Sequence, residues 1–241
     1  MKEKPILFSS EMVRAILDGR KTQTRRVIKP QPLELCDEIW QWKHTEQKEE
    51  DLYEWLETAA PYQIGDRLWV RETWRPFCFH YEGESMYTDY RADGARLERM
   101  LSEEAYADGW LEREWARWGD AAKAAGIPLD DWDESWPLEQ LEQTGFVMPW
   151  RPSIFMPRWA TRIWLEVTGV RAERVQDISD GDIEAEGVVV NAEFNPVVER
   201  YWGFIQLWDS INAKRGLGWA TNPWVWVYEF ERLETPAGAS Q

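Results

Sequence analysis

Residues 20–26 read Arg20, Lys21, Thr22, Gln23, Thr24, Arg25, Arg26, four cations in seven positions of a 241-residue chain whose formal charge is −16. Like charges crowded against the overall balance repel one another unless something anionic answers them. Arg20, Lys21, Arg25 and Arg26, with Arg14 one turn earlier, could hold phosphate oxygens while nearby aromatics stack a base. That chemistry is binding and needs no catalysis. The alternative is a solvated loop whose arginines pair with the chain's own acids. The residues alone leave both open.

A short helix over 9–18 delivers this loop. Ser9 and Ser10 suit its N-cap, and Glu11 suits the positive end of the helix dipole. Met12, Val13, Ile16 and Leu17 recur at helical spacing, and Gly19 falls where a left-handed C-cap residue is wanted. A strand at 4–8 precedes the helix. Another at 24–29 leaves the loop and is stopped by Pro30 and Pro32. After a turn at Gly65-Asp66, residues 67–74 alternate, with Leu68, Val70 and Glu72 on one face. Glu72 is then either a solvated edge carboxylate or one that faces a pocket.

Residues 85–94 read as a further strand, and 150–162 as a Pro-punctuated crossing segment tied down by Ile154, Phe155 and Trp159. The clearest strand covers 162–175, with Ile163, Leu165 and Val167 inward and Trp164 and Glu166 opposite. A capped helix at 178–187 follows. An amphipathic helix at 197–216 presents Val198, Trp202, Ile205, Trp208 and Ile211 and ends at Gly216. A terminal strand at 224–232 carries Trp224, Trp226, Tyr228 and Phe230 on one face. The tail from Thr235 reads as flexible. Short strands separated by turns or a helix predict an α+β, mainly β fold: a small antiparallel barrel with flanking helices.

Charge divides the chain further. Residues 33–60 hold nine acids and two bases, and residues 97–145 hold thirteen acids and four bases. The remainder is balanced, so a neutral frame carries two acidic, Trp-rich insertions. The expected frame is 1–32, 61–96 and 146–234. In the first insertion, 46–57 suits an exposed helix; the second reads as mostly helical, broken near Pro128 and Pro137, and forms a lid or side domain. Eighteen tryptophans either pack the core or stack bases, with packing the simpler role.

Two cysteines and two histidines lack a metal spacing. A site of Cys36, Cys78, His44 and His80 is a formal arrangement only, and neither metal nor cofactor is expected. Without a long apolar run or an apolar leader, a cytoplasmic protein with no membrane partner is expected.

The stretch GRKTQTRR after a short helix resembles the opening motif of the ASCH domains, members of the PUA-like superfamily of small β-barrels. GDRLWVRE at 65–72 resembles that family's second strand entry, and VTGVRAERVQDISDGDIEAEGV at 167–188 its strand, turn and short helix ending in Glu-Gly. The likeness covers about half the chain in separated blocks. WDSINAKRG and NPWVWVYEF look most like the larger ASCH-type proteins carried by bacteriophages and prophages, which implies a bacterial host cytoplasm.

The resemblance implies a nucleoside, nucleotide or RNA ligand at Arg20, Arg25 and Arg26, with Glu72 turned toward the pocket. One ASCH branch, the bacterial N4-acetylcytidine amidohydrolases, uses a Lys and a Thr of this loop and a Glu of the later helix. Here these match Lys21, Thr24 and Glu186, with Glu184 as the fallback. A Thr hydroxyl attacks only after a base takes its proton, and Lys21 can be that base only when neutral, far below its usual pKa of about 10.4. Burial and the neighbouring arginines push it that way. The implied reaction removes an acyl group from a modified base.

The chain departs from that branch in its insertions, since the amidohydrolases are compact. A non-catalytic RNA-binding module is one rival reading. Another is a protein-interaction role carried by the acidic insertions. A ribonuclease is less well served, with no histidine near the loop.

Overall fold

The computed structural model describes residues 1–36, 38–79, 85–107, 109–127, 143–189 and 195–234. His80, the breaks at Pro128 and Pro137, the acidic run at 130–135 and the tail from Thr235 lie outside the described residues. The chain falls into two compact units. The first comprises described residues of 1–4, 15–68 and 165–233; the second comprises described residues of 5–14 and 69–164, with 234.

The class is α+β with several antiparallel sheets. A five-stranded sheet has the order β1-β6-β10-β11-β2, formed by β1 (Glu3–Leu7), β6 (Arg67–Arg71), β10 (Trp164–Arg174), β11 (Trp224–Leu233) and β2 (Gln23–Val27). Among the described residues β1 and β2 are its edges, so it does not close into a barrel. Helix α1 (Ser10–Leu17) leads into the basic loop, and Gly19 takes the left-handed φ of +73° expected of it. β2 runs antiparallel to β11, with Thr24 opposite Tyr228 and Arg26 opposite Trp226.

In the first unit, β3 (Leu33–Cys36), β4 (Ile39–Trp42) and β5 (Thr45–Lys48) form a meander followed by helix α2 (Glu49–Thr58). The expectation of one exposed helix over 46–57 is therefore corrected. Its first residues pair as β5, and Leu52 and Leu56, one turn apart on α2, are completely buried. A pair of leucines among many acids is enough of a stripe to dock a helix. Trp40 and Trp42 of this segment are core. Trp40 meets Trp224 edge-on at 5.7 Å, and Trp42 meets Trp226 at 6.1 Å. Their polar edges are partly answered, as Trp42 Nε1 donates to Pro30 O and Trp226 Nε1 to Leu56 O.

Helix α5 (Asp180–Ala185) and helix α6 (Pro196–Asn212) complete this unit. The expected apolar face of α6 is borne out at Trp208 and corrected elsewhere. Phe204 and Trp208 are buried against Val175, Ile178, Ile183, Val225 and Val227, while Val198, Trp202 and Ile211 are exposed. The helix carries large apolar residues nearly all round, so periodicity could not choose the stripe that packs.

The second unit is built on β7 (Trp74–Phe79), β8 (Ser85–Tyr90) and β9 (Arg96–Met100), followed by α3 (Glu103–Ala107) and α4 (Trp110–Ala124). Residues 97–100, expected to be helical, belong to strand β9, because β8 offers a full antiparallel edge from Asp89↔Arg96 to Ser85↔Met100. In the crossing segment, Met156 and Ala160 are buried with Trp74 and Tyr90, and Ile154 and Phe155 face solvent. Two 3-10 turns within this segment reorient successive side chains. The prolines told of a crossing but not of its inward side.

Candidate functional site

The basic loop is pinned at both ends before its side chains meet anything. Arg20 N and Lys21 N both donate to Ala15 O at 2.9 Å, and Thr22 N donates to Ala185 O at 2.9 Å. Lys21 thereby forms an isolated antiparallel bridge with Glu186. Glu186 stands just past α5, whose N-terminus is closed by a reciprocal capping box between Ser179 and Asp182. Gly187 follows with φ +78°. A Cβ there would lie 2.8 Å from Ala15 Cβ and 2.9 Å from Lys21 Cβ. Only glycine lets the end of α5 press against the loop this closely.

Lys21 and Glu186 are thus brought together. Lys21 Nζ, completely buried, donates to Glu186 Oε2 at 2.7 Å, Glu186 O at 2.9 Å and Gln23 O at 2.8 Å. The second carboxylate oxygen, Oε1, lies 3.2 Å from Arg25 Nη1. Arg25 continues the network, donating to Glu173 Oε1 from Nε at 2.9 Å and from Nη2 at 2.7 Å. Arg25 Nη2 also reaches Asp182 Oδ2 at 3.3 Å. Arg171 closes the far side, bonding Glu173 at 3.0 Å, Asp182 at 2.9 Å and Glu229 at 2.6 Å. Three cations and four carboxylates alternate.

Electrostatics within this cluster pull in two directions. Burial lowers the Lys21 pKa, Glu186 pulls it back up, and Arg26 and Arg25 lower it further; the net direction is down from the usual lysine value. The three acceptors around Nζ suit an ammonium, which has three N–H donors to give. Burial raises the Asp182 pKa, but hydrogen bonds from Ser179 and Gln23 and the charge of Arg25 outweigh it and hold the carboxyl at about 2.

Thr24 is buried, and β2 alternation places it with Arg26 on the face opposite Gln23 and Arg25. Its cross-strand partner is Tyr228, whose ring meets Tyr62 edge-on at 5.0 Å. Burial raises the Tyr62 pKa, and Arg26 beside it draws it back. Arg26 also feels the charge of Glu186. Thr24 therefore belongs to a second polar group, of Arg26, Tyr62 and Tyr228, next to the Lys21–Glu186 pair.

Arg20 is exposed, bonded to Asp18 at 2.8 Å and to Gly187 O at 3.1 Å. It borders a groove of about 590 Å3 shared with Thr22, Glu184, Val188 and Arg200. Arg200 in turn pairs with Asp180 and Glu184, each at 2.9 Å. Glu184, the fallback for the acid, is thus at the groove and away from the Lys21 ammonium's three acceptors. Glu72 belongs to the second unit. It is completely buried and held by Arg162 through two bonds of 2.8 and 2.9 Å, with Asp93 on the same guanidinium. Burial raises its pKa even against that arginine.

Reasoning from the sequence missed Gln23, Glu173, Asp182 and Arg171 as the surroundings of Arg25. A signal was present. Arg171 and Glu173 alternate on one strand face, and Asp182 is the third residue after an N-cap serine. What was lacking was the register that sets them against β2. Among the described residues no cluster of three His, Cys, Asp or Glu side chains is placed to hold a metal. No described helix is long and apolar enough to cross a membrane. No protein-family model matches the chain, and no curated protein and no solved structure matches it.

Proposed function

We propose that this chain is an ASCH-type protein on a PUA-like frame, that it binds a nucleoside, and that it removes an acyl group from the base's exocyclic nitrogen. N4-acetylcytidine is the concrete substrate. The observation that carries this reading is the buried 2.7 Å contact of Lys21 with Glu186, with Arg25 on the other carboxylate oxygen. It joins the two charged groups that the resemblance implies, and its burial lowers the lysine pKa.

The chemistry runs as follows. Glu186 accepts a proton from Lys21, leaving a neutral amine and a carboxylic acid. The amine takes the proton of Thr24 Oγ1 as that oxygen adds to the acyl carbon. The C–N bond then breaks, and the Glu186 proton passes to the leaving nitrogen. Glu186 then takes a proton from water as the water oxygen adds to the acyl carbon, and the C–Oγ1 bond breaks with a proton returned from Lys21 to Thr24 Oγ1, which frees the acid product. For this, Thr24 Oγ1 must come within reach of Lys21 Nζ when substrate enters.

Hydrolysis of N4-acetylcytidine is the test, with the wild type beside Lys21→Ala, Thr24→Ala and Glu186→Gln, all checked for fold by circular dichroism. Turnover by the wild type that falls by at least about a hundredfold in each folded variant is expected. A wild type without turnover sinks the hydrolase reading.

A second reading, a non-catalytic ligand-binding module, draws on one observation: Lys21 Nζ already has three acceptors, the pattern of a structural ammonium. On that reading Thr24→Ala leaves ligand affinity unchanged, and binding weakens steeply with salt if phosphates are engaged.

A further inference from the structure

A pocket of about 720 Å3 opens in the second unit, and none of the Lys21 site's residues line it. One wall is a stripe of α4. Trp110, Arg113, Arg117 and Ala121 follow one another at spacings of three and four, which stacks them along one helix face. The other wall is the strip from Met148 and Pro149 to Arg151 and Phe155. Among the described residues the lining therefore holds five apolar residues and three arginines, and no carboxylate.

The three arginines differ in what answers them. Arg151 forms a two-pronged pair with Glu114, which is buried behind the wall. Arg117 reaches that same carboxylate only at 3.8 Å, and its side chain is 65% exposed. Its guanidinium thus faces the opening with most of its charge directed at solvent. Arg113 stands one turn away on the same helix face. A chain of formal charge −16 places this cationic rim over an apolar floor. Phe155, 68% exposed, forms a lip that an apolar ligand would cover.

We propose that this pocket binds a small molecule with a flat apolar body and one anionic group, the body lying between Trp110, Met148 and Phe155 and the anion on Arg117. The volume falls in the range of small-molecule sites, roughly 300–1,000 Å3, whose usual make-up is an apolar lining with a few polar anchors. A guanidinium recognises a carboxylate or a phosphate with the same paired donors, so the rim accepts either. The site is independent of the reading of Lys21.

Calorimetric titration of the full chain tests this with 1-naphthoate, 1-naphthyl phosphate and the uncharged 1-naphthalenemethanol. At least one anion binds, and the tighter of the two names the anionic group. The alcohol binds at least about tenfold more weakly, the value of one charge-assisted bond. Arg117→Glu weakens the anion by more than about tenfold and Arg117→Gln by less, both with unchanged circular dichroism, while Lys21→Ala leaves it unaltered. The proposal is overturned if neither anion binds, if the alcohol binds as well as the anions, or if folded Arg117→Glu retains wild-type affinity.

Discussion

At Glu186 one carboxylate holds two buried cations, Lys21 on one oxygen and Arg25 on the other. Desolvation makes such a group nearly neutral in net stability but costly to break, because removal of one partner strands the other. Glu186→Gln is therefore expected to lose about 3–5 kcal/mol in urea unfolding. Replacing Lys21 by Met and Glu186 by Leu together should cost less than the two single changes summed, a coupling that a double-mutant cycle measures. Lys21 also sets a pH dependence. Its folded pKa lies below 10.5, so between the two values the unfolded chain binds more protons and stability rises with pH. Wild type should gain on Lys21→Met as pH climbs through that window; parallel profiles would show that Lys21 keeps its ordinary pKa.

The elements that make the site are short, and each depends on one local feature. Helix α5 has six residues, closed by its capping box, and it ends on a glycine that no other residue can replace without moving Ala15 or Lys21. Gly187→Ala adds a left-handed backbone penalty of roughly 1–2 kcal/mol to a contact below 3 Å. A loss above about 2 kcal/mol is expected, with chemical-shift changes at Lys21 and Ala15. Asp182 ties the same helix to Arg25 and Arg171. Its folded pKa of about 2 lies below the unfolded value of 3.8. Its contribution is therefore full above about pH 4 and is lost as pH falls toward 2. The stability gap between wild type and Asp182→Asn should be wide at pH 7 and narrow at pH 2.5, and a gap independent of pH would refute the assignment.

Across the whole molecule, each unit has its own buried ion system. The first holds Lys21, Arg25 and Glu186; the second holds Glu72 and Arg162, whose guanidinium also reaches the exposed Asp93. Glu72 is therefore assigned a structural part. Glu72→Ala should destabilise the second unit by about 3–5 kcal/mol, since it strands a buried guanidinium. Hydrogen exchange should report the loss at β7 and β8, whereas a protein of unchanged stability with weakened nucleoside binding would return Glu72 to the ligand. The tryptophans follow the same logic. Trp40, Trp42, Trp224 and Trp226 meet one another edge-on inside the first unit, where they pack the core and are not available as a stacking platform.

Local rules determined what is local. The helix at 10–17 with its left-handed Gly19, the strand after the basic loop, the inward Leu68, Val70, Ile163, Leu165 and Val167, and the capped helix before Gly187 were all legible in residue types and spacing. Lys21, Thr24 and Glu186 were singled out by the resemblance and not by spacing. Tertiary structure decided which groups meet. It set Lys21 on Glu186 across more than 160 residues, put Thr24 opposite Tyr228 on the other face of β2, and turned Phe204, in place of Val198 and Trp202, toward the core beside the expected Trp208. The reason is physical. Backbone preference and periodicity act over a few residues, whereas strand register and the choice between two apolar helix faces depend on partners far away in the chain.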